Sequence, residues 1–500
     1  QYLHALTAYE ACKDYDAALQ VIERDAGILL SSLDPAELLE RLGRCPVETL
    51  KRHPFAILVL MRCMFNWRQI PKMMELKALL EAAVREHPEW SQEEKGSLLG
   101  ECDLILSFLM YNDISAMSRL HRSASAQMSH PAISIQNSGG WTFGSPSVLM
   151  MFHRQPGQLD RELAEMDECM PHYYRITQGH GQGAELLMNA EAAFMQGNFS
   201  DAQILLEQTY STIASNGQHN ISLCCDFLAA RLSLFQEGVT FVKNPEVKRK
   251  EFLSLHNMMW LNIFDSTYAY YYALIRMPEK IPALFKDHML STVSFLSPCR
   301  PMMEMIENQV FLSQKMYAKV IGRSETLLPV CEKMHYELVS LHVQIQTAAA
   351  YAMLGKHHDA RQLLQKALGH AMPDGFLIPF VENYTYIKDV LGSINSITPE
   401  PFTDRILSLG SVYEQHCLRL SSRNYRPEIL NMLNSREAEI AALITDRLSN
   451  REIAERLFLS EGTVKQYVNQ IYSKLMINGD TRTKRKQLAE LISSINKGLT

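Results

Sequence analysis

The chain has 500 residues, of which 47% are hydrophobic and 21% charged, and this is the composition of a folded globular protein, not of a disordered chain. Its 23 Gly and 20 Pro are few for this length, which favours a mainly helical protein. The ten cysteines lack the spacing of a zinc site, and no apolar run reaches the ~18 residues that span a membrane. We therefore expect a cytoplasmic protein with reduced thiols, no metal and no membrane contact.

Charge is unevenly distributed along the chain. From Leu433 onward there are 11 Lys and Arg against 8 Asp and Glu, whereas the preceding residues carry 38 against 47. A basic terminal segment on an acidic body favours a nucleic-acid partner for that segment.

Three segments, Cys12–Ala17, Gly197–Ala202 and Gly355–Ala360, share one pattern of a polar or glycine turn followed by Asp-Ala between two amphipathic helices. Small residues before the turn allow two helices to pack closely, and the pattern resembles the tetratricopeptide hairpin. Weaker hairpins are predicted at Pro54–Glu86, Leu98–Met128 and Met302–Met334. The prediction is an all-α fold, with a tetratricopeptide-like α-solenoid over 1–395 that senses or binds a partner.

Prolines flank a predicted helix at Thr403–Leu420, so residues 396–432 are interpreted as a helix and linker. The remaining residues, 433–500, form a separate predicted domain.

Local signals in this last domain predict a series of short helices. Asn434 precedes a first helix, Leu448-Ser449-Asn450 breaks the chain before a second helix at Arg451–Leu457, and Ser460 caps a third at Glu461–Leu475. The turn between the second and third helices has only three residues, which is the spacing of a helix-turn-helix.

The third helix has one apolar and one polar face. Val464, Val468, Ile471 and Leu475 share the inner face, and the outer face carries Gln466, Asn469 and Ser473 beside Lys465 and Gln470. Amides can pair with adenine edges and Lys with guanine or phosphate, so this face predicts docking in the major groove of double-stranded DNA.

The run Leu448–Lys465, followed by Ile471-Tyr472-Ser473-Lys474-Leu475, resembles the signature of the LuxR family of bacterial DNA-binding regulators. The resemblance implies a four-helix domain in a sequence-specific transcriptional regulator. It assigns base reading to Lys465, Gln466 and Asn469, and phosphate contacts to the set Asn450, Thr463, Tyr467, Gln470 and Lys474. Arg447 and Tyr467 depart from the family pattern, which usually has Gly and His there.

A solenoid joined to such a domain is similar to the large ATP-dependent LuxR-type regulators, and Asp374–Asn383 resembles their last repeat. This resemblance implies an effector-controlled activator that works with RNA polymerase. The chain contains no G-x-x-x-x-G-K-[ST] motif, so no cofactor is expected within it. ATP would bind only to a nucleotide-binding module that precedes this sequence.

Two other classes of function were weighed. No G-x-S-x-G, H-E-x-x-H or G-x-G-x-x-G motif occurs, so we expect no enzyme. The alternative to a regulator is a tetratricopeptide-type scaffold for protein partners with secondary DNA binding.

Leu488, Leu491, Ile492 and Ile495 form an apolar stripe that predicts dimerisation on DNA, or else packing on the core of the domain itself.

The Gly- and Pro-rich segment Ser129–Gly183 interrupts the hairpins. It predicts a pocket for a small polar effector, or aromatic side chains that fill a gap between two halves of the solenoid. The pocket residues would be Trp141, Tyr173, Tyr174, Arg175 and His180.

Overall fold

The computed structural model describes residues 2–25, 35–135, 140–214, 217–236, 245–254, 257–293, 295–424, 433–446, 448–475, 477, 479–480 and 483–488. Within these ranges the regular secondary structure is helical and no strand occurs, so the predicted all-α class is confirmed. The chain divides into two compact units, Gln1–Glu414 and Gln415–Thr500. No helix in the described ranges is long and apolar enough to cross a bilayer.

The first unit is a succession of helices, most of them paired as hairpins. Its helices are α1 Tyr2–Ala11, α2 Tyr15–Asp25, α3 Pro35–Arg44, α4 Val47–Lys51, α5 Pro54–Asn66, α6 Ile70–Glu86, α7 Gln92–Ser107, α8 Ile114–Gln127, α9 Leu149–Phe152, α10 Leu159–Thr177, α11 Ala184–Met195, α12 Phe199–Ile213, α13 His219–Leu232, α14 Pro245–Ser254, α15 Met258–Leu274, α16 Ala283–Lys286, α17 Arg300–Ser313, α18 Tyr317–Met334, α19 Glu337–Met353, α20 His357–Ala371, α21 Ile378–Glu382 and α22 Tyr384–Ile397.

The next helix, α23, runs from Pro401 to Asn424 across the boundary between the two units. It begins and ends beyond the limits of the predicted helix Thr403–Leu420. In the second unit, α24 is Ser435–Thr445, α25 is Asn450–Leu457 and α26 is Glu461–Lys474. Residues 483–488 are also helical.

The three predicted hairpin turns share one backbone geometry. Each has a left-handed residue after the first helix, namely Lys13 (φ 59°), Gly197 (φ 80°) and Gly355 (φ 75°). The N–H of the following residue then donates to a carbonyl five residues back at 2.9 Å, in Asp14 to Tyr9, Asn198 to Ala193 and Lys356 to Tyr351. This is the Schellman closure of a helix, which reverses the chain tightly enough for the next helix to pack on the last.

Two of the weaker hairpins have the same turn without glycine. The pairs α5–α6 and α17–α18 turn at Arg68 (φ 58°) and Lys315 (φ 62°). The matching backbone bonds, Gln69 to Met64 and Met316 to Phe311, are both 2.8 Å long. Their sequence signal was weak because they have neither a glycine, the usual residue at a left-handed position, nor the Asp-Ala pair that follows the three predicted turns.

The segment Ser129–Gly183, which was predicted to interrupt the hairpins, contains a regular helix, because α10 occupies 19 of its residues. Pro171 lies inside that helix. A proline removes one helical hydrogen bond, but α10 packs against both α8 and α11, and that packing offsets the loss. Tyr173, Tyr174 and Arg175 therefore stand on a regular helix.

A buried ion pair joins distant parts of the first unit. Arg231, on α13, donates from Nε to Glu382 Oε1 at 2.7 Å and from Nη2 to Oε2 at 3.0 Å, and both side chains are almost fully buried. Tyr270, on α15, donates its hydroxyl to Glu382 at 2.8 Å. The rings of Phe194, Phe227 and Tyr270 lie 5.0, 5.4 and 5.6 Å from the guanidinium carbon. Both charges are thus compensated by groups of the chain itself.

Replacing Glu382 with Gln should lower the free energy of unfolding of the full chain by about 3–5 kcal/mol, because Arg231 would keep a buried charge without a counter-charge. Urea unfolding followed by circular dichroism measures the change. The matched control is Glu40→Gln, which breaks the exposed pair Arg44–Glu40 and should cost under about 1 kcal/mol. Equal effects of the two substitutions would contradict the structural role of the Arg231–Glu382 pair.

Candidate nucleic-acid interface

Side-chain caps begin the helices α24, α25 and α26. Asn434 accepts from the Glu437 backbone N–H at 2.9 Å, and the Glu437 carboxylate accepts from the Asn434 N–H at 2.7 Å. Ser449 and Glu452 form the same reciprocal box on α25. Ser460 accepts from the Thr463 N–H at 3.0 Å and caps α26. Such caps are local, which is why the sequence predicted these helix starts closely.

A small apolar core holds α24, α25 and α26 together. The predicted inner face of α26 is buried at Val464, Val468 and Ile471, whereas Leu475 is only partly buried. These residues pack on α24 and α25 in one cluster that includes Ile440, Ile444 and Ile453. Between α25 and α26 the chain turns at Phe458, which has a left-handed backbone (φ 54°) and is 95% exposed. The arrangement is a helix-turn-helix.

The predicted outer face of α26 is open to solvent. Lys465, Gln466, Asn469 and Gln470 are all exposed. Within the described part of the chain, none of these four side chains has a hydrogen-bond or ion-pair partner. Three amides and one ammonium are therefore available on one helix face, and no described residue of the domain competes for them.

The predicted phosphate-contacting residues have more varied surroundings. Thr463 is partly buried, and its hydroxyl lies 2.7 Å from that of Ser460. Tyr467 is also partly buried and packs against the core cluster.

Lys474, another predicted phosphate contact, donates to Glu437 at 2.7 Å. Burial alone would raise the pKa of the Glu437 carboxyl, but the hydrogen bonds from Lys474 and the Asn434 backbone outweigh burial and lower it. The Lys474 ammonium thus already has one anionic partner, the Glu437 carboxylate. A phosphate would be a second acceptor for the same ammonium.

Arg485 makes a contact that the sequence reasoning missed. It donates from Nη1 to Asn450 Oδ1 at 2.8 Å and from Nη2 to the Leu448 carbonyl. These bonds connect the helical residues 483–488 to the start of α25. The amide of Asn450 is thereby held, while the first backbone N–H groups of α25 form a helix N-terminus of the kind that binds anions. In the sequence, only the basic character of residues 482–486 indicates that this segment has a role in the domain.

Leu488 is fully buried and belongs to the core cluster of its own domain. For Leu488 itself this position fits the second interpretation, packing on the core of its own domain. The other predicted dimerisation residues, Leu491, Ile492 and Ile495, lie outside the described residues.

The predicted effector residues fall into two groups in the first unit. Trp141, Tyr173 and His180 line a cavity of about 300 Å³. Trp141 rests against Gly181, where a Cβ would overlap the indole ring. Tyr173 and His180 are joined by a hydrogen bond of 2.7 Å between Oη and Nδ1.

Tyr174 and Arg175 are not among the residues that line this cavity. The Tyr174 hydroxyl bonds to the Gly181 carbonyl and to Glu185, and Arg175 donates to the Ser125 carbonyl. Both side chains tie α10 to its neighbours.

Comparison with known proteins identifies the second unit. Residues 431–485 match the family model described as bacterial regulatory proteins, luxR family. The transcriptional regulatory protein LnrK of Bacillus subtilis is 33% identical over 110 residues, which are 22% of this chain and 49% of that protein. DegU of Brevibacillus brevis is 45% identical over 53 residues, or 11% of this chain and 22% of the relative. DesR of Bacillus subtilis is 36% identical over 75 residues, or 13% and 38%.

This chain spans at most about half the length of these curated relatives. The likeness lies where the capped helices, the three-residue turn and the open amide face of α26 are found. The C-terminal domain of this chain is therefore a helix-turn-helix domain of the LuxR family of bacterial regulatory proteins.

Proposed function

We propose that the chain is a sequence-specific DNA-binding transcriptional regulator that inserts α26 into the major groove. The observation that carries the proposal is the outer face of α26, where Lys465, Gln466, Asn469 and Gln470 are exposed and have no partner among the described residues. An ammonium and three amides can read base edges and contact phosphate. The three relatives are all named as transcriptional regulatory proteins, which agrees with this function.

The same proposal assigns phosphate contacts to the ends of the reading helix and to α25. Thr463 and Tyr467 lie beside the open face, Gln470 and Lys474 follow it, and Asn450 begins α25. Contacts of this kind fix the position of a protein on DNA without reading its sequence.

Replacing Gln466 or Asn469 with Ala should weaken binding to the preferred duplex by ~1–3 kcal/mol and reduce discrimination against altered base pairs. The duplex is first selected from a random pool with the full chain, and binding is then measured by fluorescence anisotropy. Gln208→Ala removes an exposed amide from α12, in the other unit, and should leave binding unchanged.

Gln470→Ala serves as a second comparison because it should weaken all duplexes alike. If Gln466→Ala and Asn469→Ala both bind the selected duplex with wild-type affinity and specificity while folded, base reading by these residues is wrong.

We also propose that two chains bind one operator with two half-sites, through a surface that includes Leu491, Ile492 and Ile495. Leu488 is assigned to the core of its own domain because it is fully buried there.

Replacing Ile492 with Glu should then reduce cooperative binding to a two-half-site duplex about tenfold or more, while binding to a single half-site remains. Native mass spectrometry should find two chains per duplex for the wild type. A stable complex of one chain with a two-half-site duplex would contradict the dimer.

The first unit is proposed to control this DNA binding through an effector, with activation of RNA polymerase as the output. The support is the cavity around Trp141, Tyr173 and His180 and the resemblance to effector-controlled activators. Transcription in vitro from a promoter that carries the selected duplex tests the output. A rise in transcript with added chain supports activation, and a fall supports repression.

A further inference from the structure

The cavity in the first unit has walls that are mainly aromatic and sulfur-containing. Phe108, Phe143, Phe152, Met151, Met166 and Met170 supply much of its surface. A dry cavity of roughly 150 Å³ lined by Leu, Ile and Phe is large enough to bind benzene. At about 300 Å³ this cavity has room for an apolar group about twice as large.

These walls do not suit the small polar effector that the sequence predicted. A ligand with many hydroxyl groups would exchange hydrogen bonds to water for contact with carbon and sulfur, which is unfavourable. His121 and Cys169, two polar side chains of the wall, are already engaged. His121 bonds to Cys169 at 3.2 Å and to Ser107 at 2.9 Å. Burial lowers the pKa of His121 to about 3, so this ring adds no positive charge to the wall at neutral pH.

Arg62 is a charged residue of the wall that is not engaged in this way. It stands on α5, it is partly buried and it lines the cavity. Its guanidinium has no hydrogen-bond or ion-pair partner within the ranges that the structure describes. Desolvation lowers the pKa of Arg62, but an arginine stays charged in a protein at any ordinary pH. A desolvated cation with five donors and no partner is a site for an anion.

Glu101 is the acidic residue that interacts electrostatically with Arg62. It does not line the cavity, and its carboxylate accepts from the Ser134 backbone N–H at 2.5 Å. It forms no ion pair with Arg62 in the described structure. The donors of the guanidinium thus remain available.

Tyr111 adds a second unsatisfied group to the wall. Its hydroxyl is buried and has no hydrogen-bond partner within the described residues. The residue has φ 56° and ψ −104°, a backbone conformation that is costly for a side chain of this size. A ligand oxygen near this hydroxyl would satisfy a donor that is otherwise unpaired.

We propose that the cavity binds an apolar ligand with a single anionic group, an aromatic or acyl carboxylate, whose carboxylate is held by Arg62. The proposal rests on the effector role given to the first unit under the proposed function, and it names the chemical class of that effector. Its test needs no DNA, so a failure here is distinguishable from a failure of the DNA-binding proposal.

Isothermal titration calorimetry on the full chain tests the ligand class with two probes. The first is 2-naphthoate, which is ionised at neutral pH, and the second is 2-naphthamide, which has the same rings and no charge. We expect 2-naphthoate to bind at least about tenfold more tightly, since a charge-assisted pair with arginine strengthens binding by that factor or more. Equal affinities, or no binding of either probe at millimolar concentration, would overturn the proposal.

Variants then assign the anion site. Arg62→Gln should abolish the preference for 2-naphthoate and leave the affinity for 2-naphthamide within about twofold, and Arg62→Lys should restore part of the preference. The matched control Arg68→Gln changes an exposed arginine that follows the same helix and does not line the cavity, so it should bind both probes as the wild type does. An unchanged preference in folded Arg62→Gln would show that Arg62 does not hold the anion.

Discussion

The Arg231–Glu382 pair is the contact on which the packing of the first unit most depends. Neither charge is tolerable alone in an apolar interior, so both side chains must meet there whenever the unit is folded. The pair brings α21 against α13, and Tyr270 adds α15 to the same point. Three aromatic rings lie around the guanidinium. One contact therefore fixes the relative positions of helices that are separated by more than a hundred residues.

Other buried polar contacts position the irregular chain between α8 and α10. Asn220 accepts from the Thr142 N–H at 2.8 Å, Glu191 accepts from the Leu149 N–H at 2.6 Å, and Asp374 accepts from the N–H groups of Gly157 and Leu159. Each acceptor lies on a distant segment and satisfies a backbone donor that no helix would satisfy. Trp141, Phe143 and Phe152, which stand on this segment, line the cavity.

Local caps and a small apolar core shape the described part of the second unit. Three side-chain caps start its helices, and a cluster of aliphatic residues and Tyr472 holds them together. Acidic side chains are used in caps and ion pairs, such as Glu437 with Lys474 and Glu455 with Arg451. On the outer face of α26, the amides and Lys465 have no partner among the residues that the structure describes. This division places unpaired donors and acceptors where a DNA groove can satisfy them.

The features that could be predicted from the sequence alone depend on interactions between residues that are close together in the chain. Caps such as Asn434 with Glu437 act within one helical turn, and the apolar spacing of α26 acts within four. The helix starts, the two faces of α26 and the glycine turns at Gly197 and Gly355 therefore followed from short stretches of sequence. The turns at Arg68 and Lys315 left a weaker trace, because a left-handed residue other than glycine has no distinctive signature.

Contacts between distant segments could not be predicted in the same way. Tyr173 lines the cavity and its neighbour Tyr174 does not, because the packing of α10 sets which side of the helix meets the cavity. Arg62 has no partner in the described part of the chain, whereas Arg231 pairs with Glu382, although nothing near either arginine in the sequence distinguishes them. Periodicity identifies the apolar face of a helix, but the partner of a charge depends on which remote segment folds against it. The amphipathic character of the cavity is accordingly a property of the folded chain.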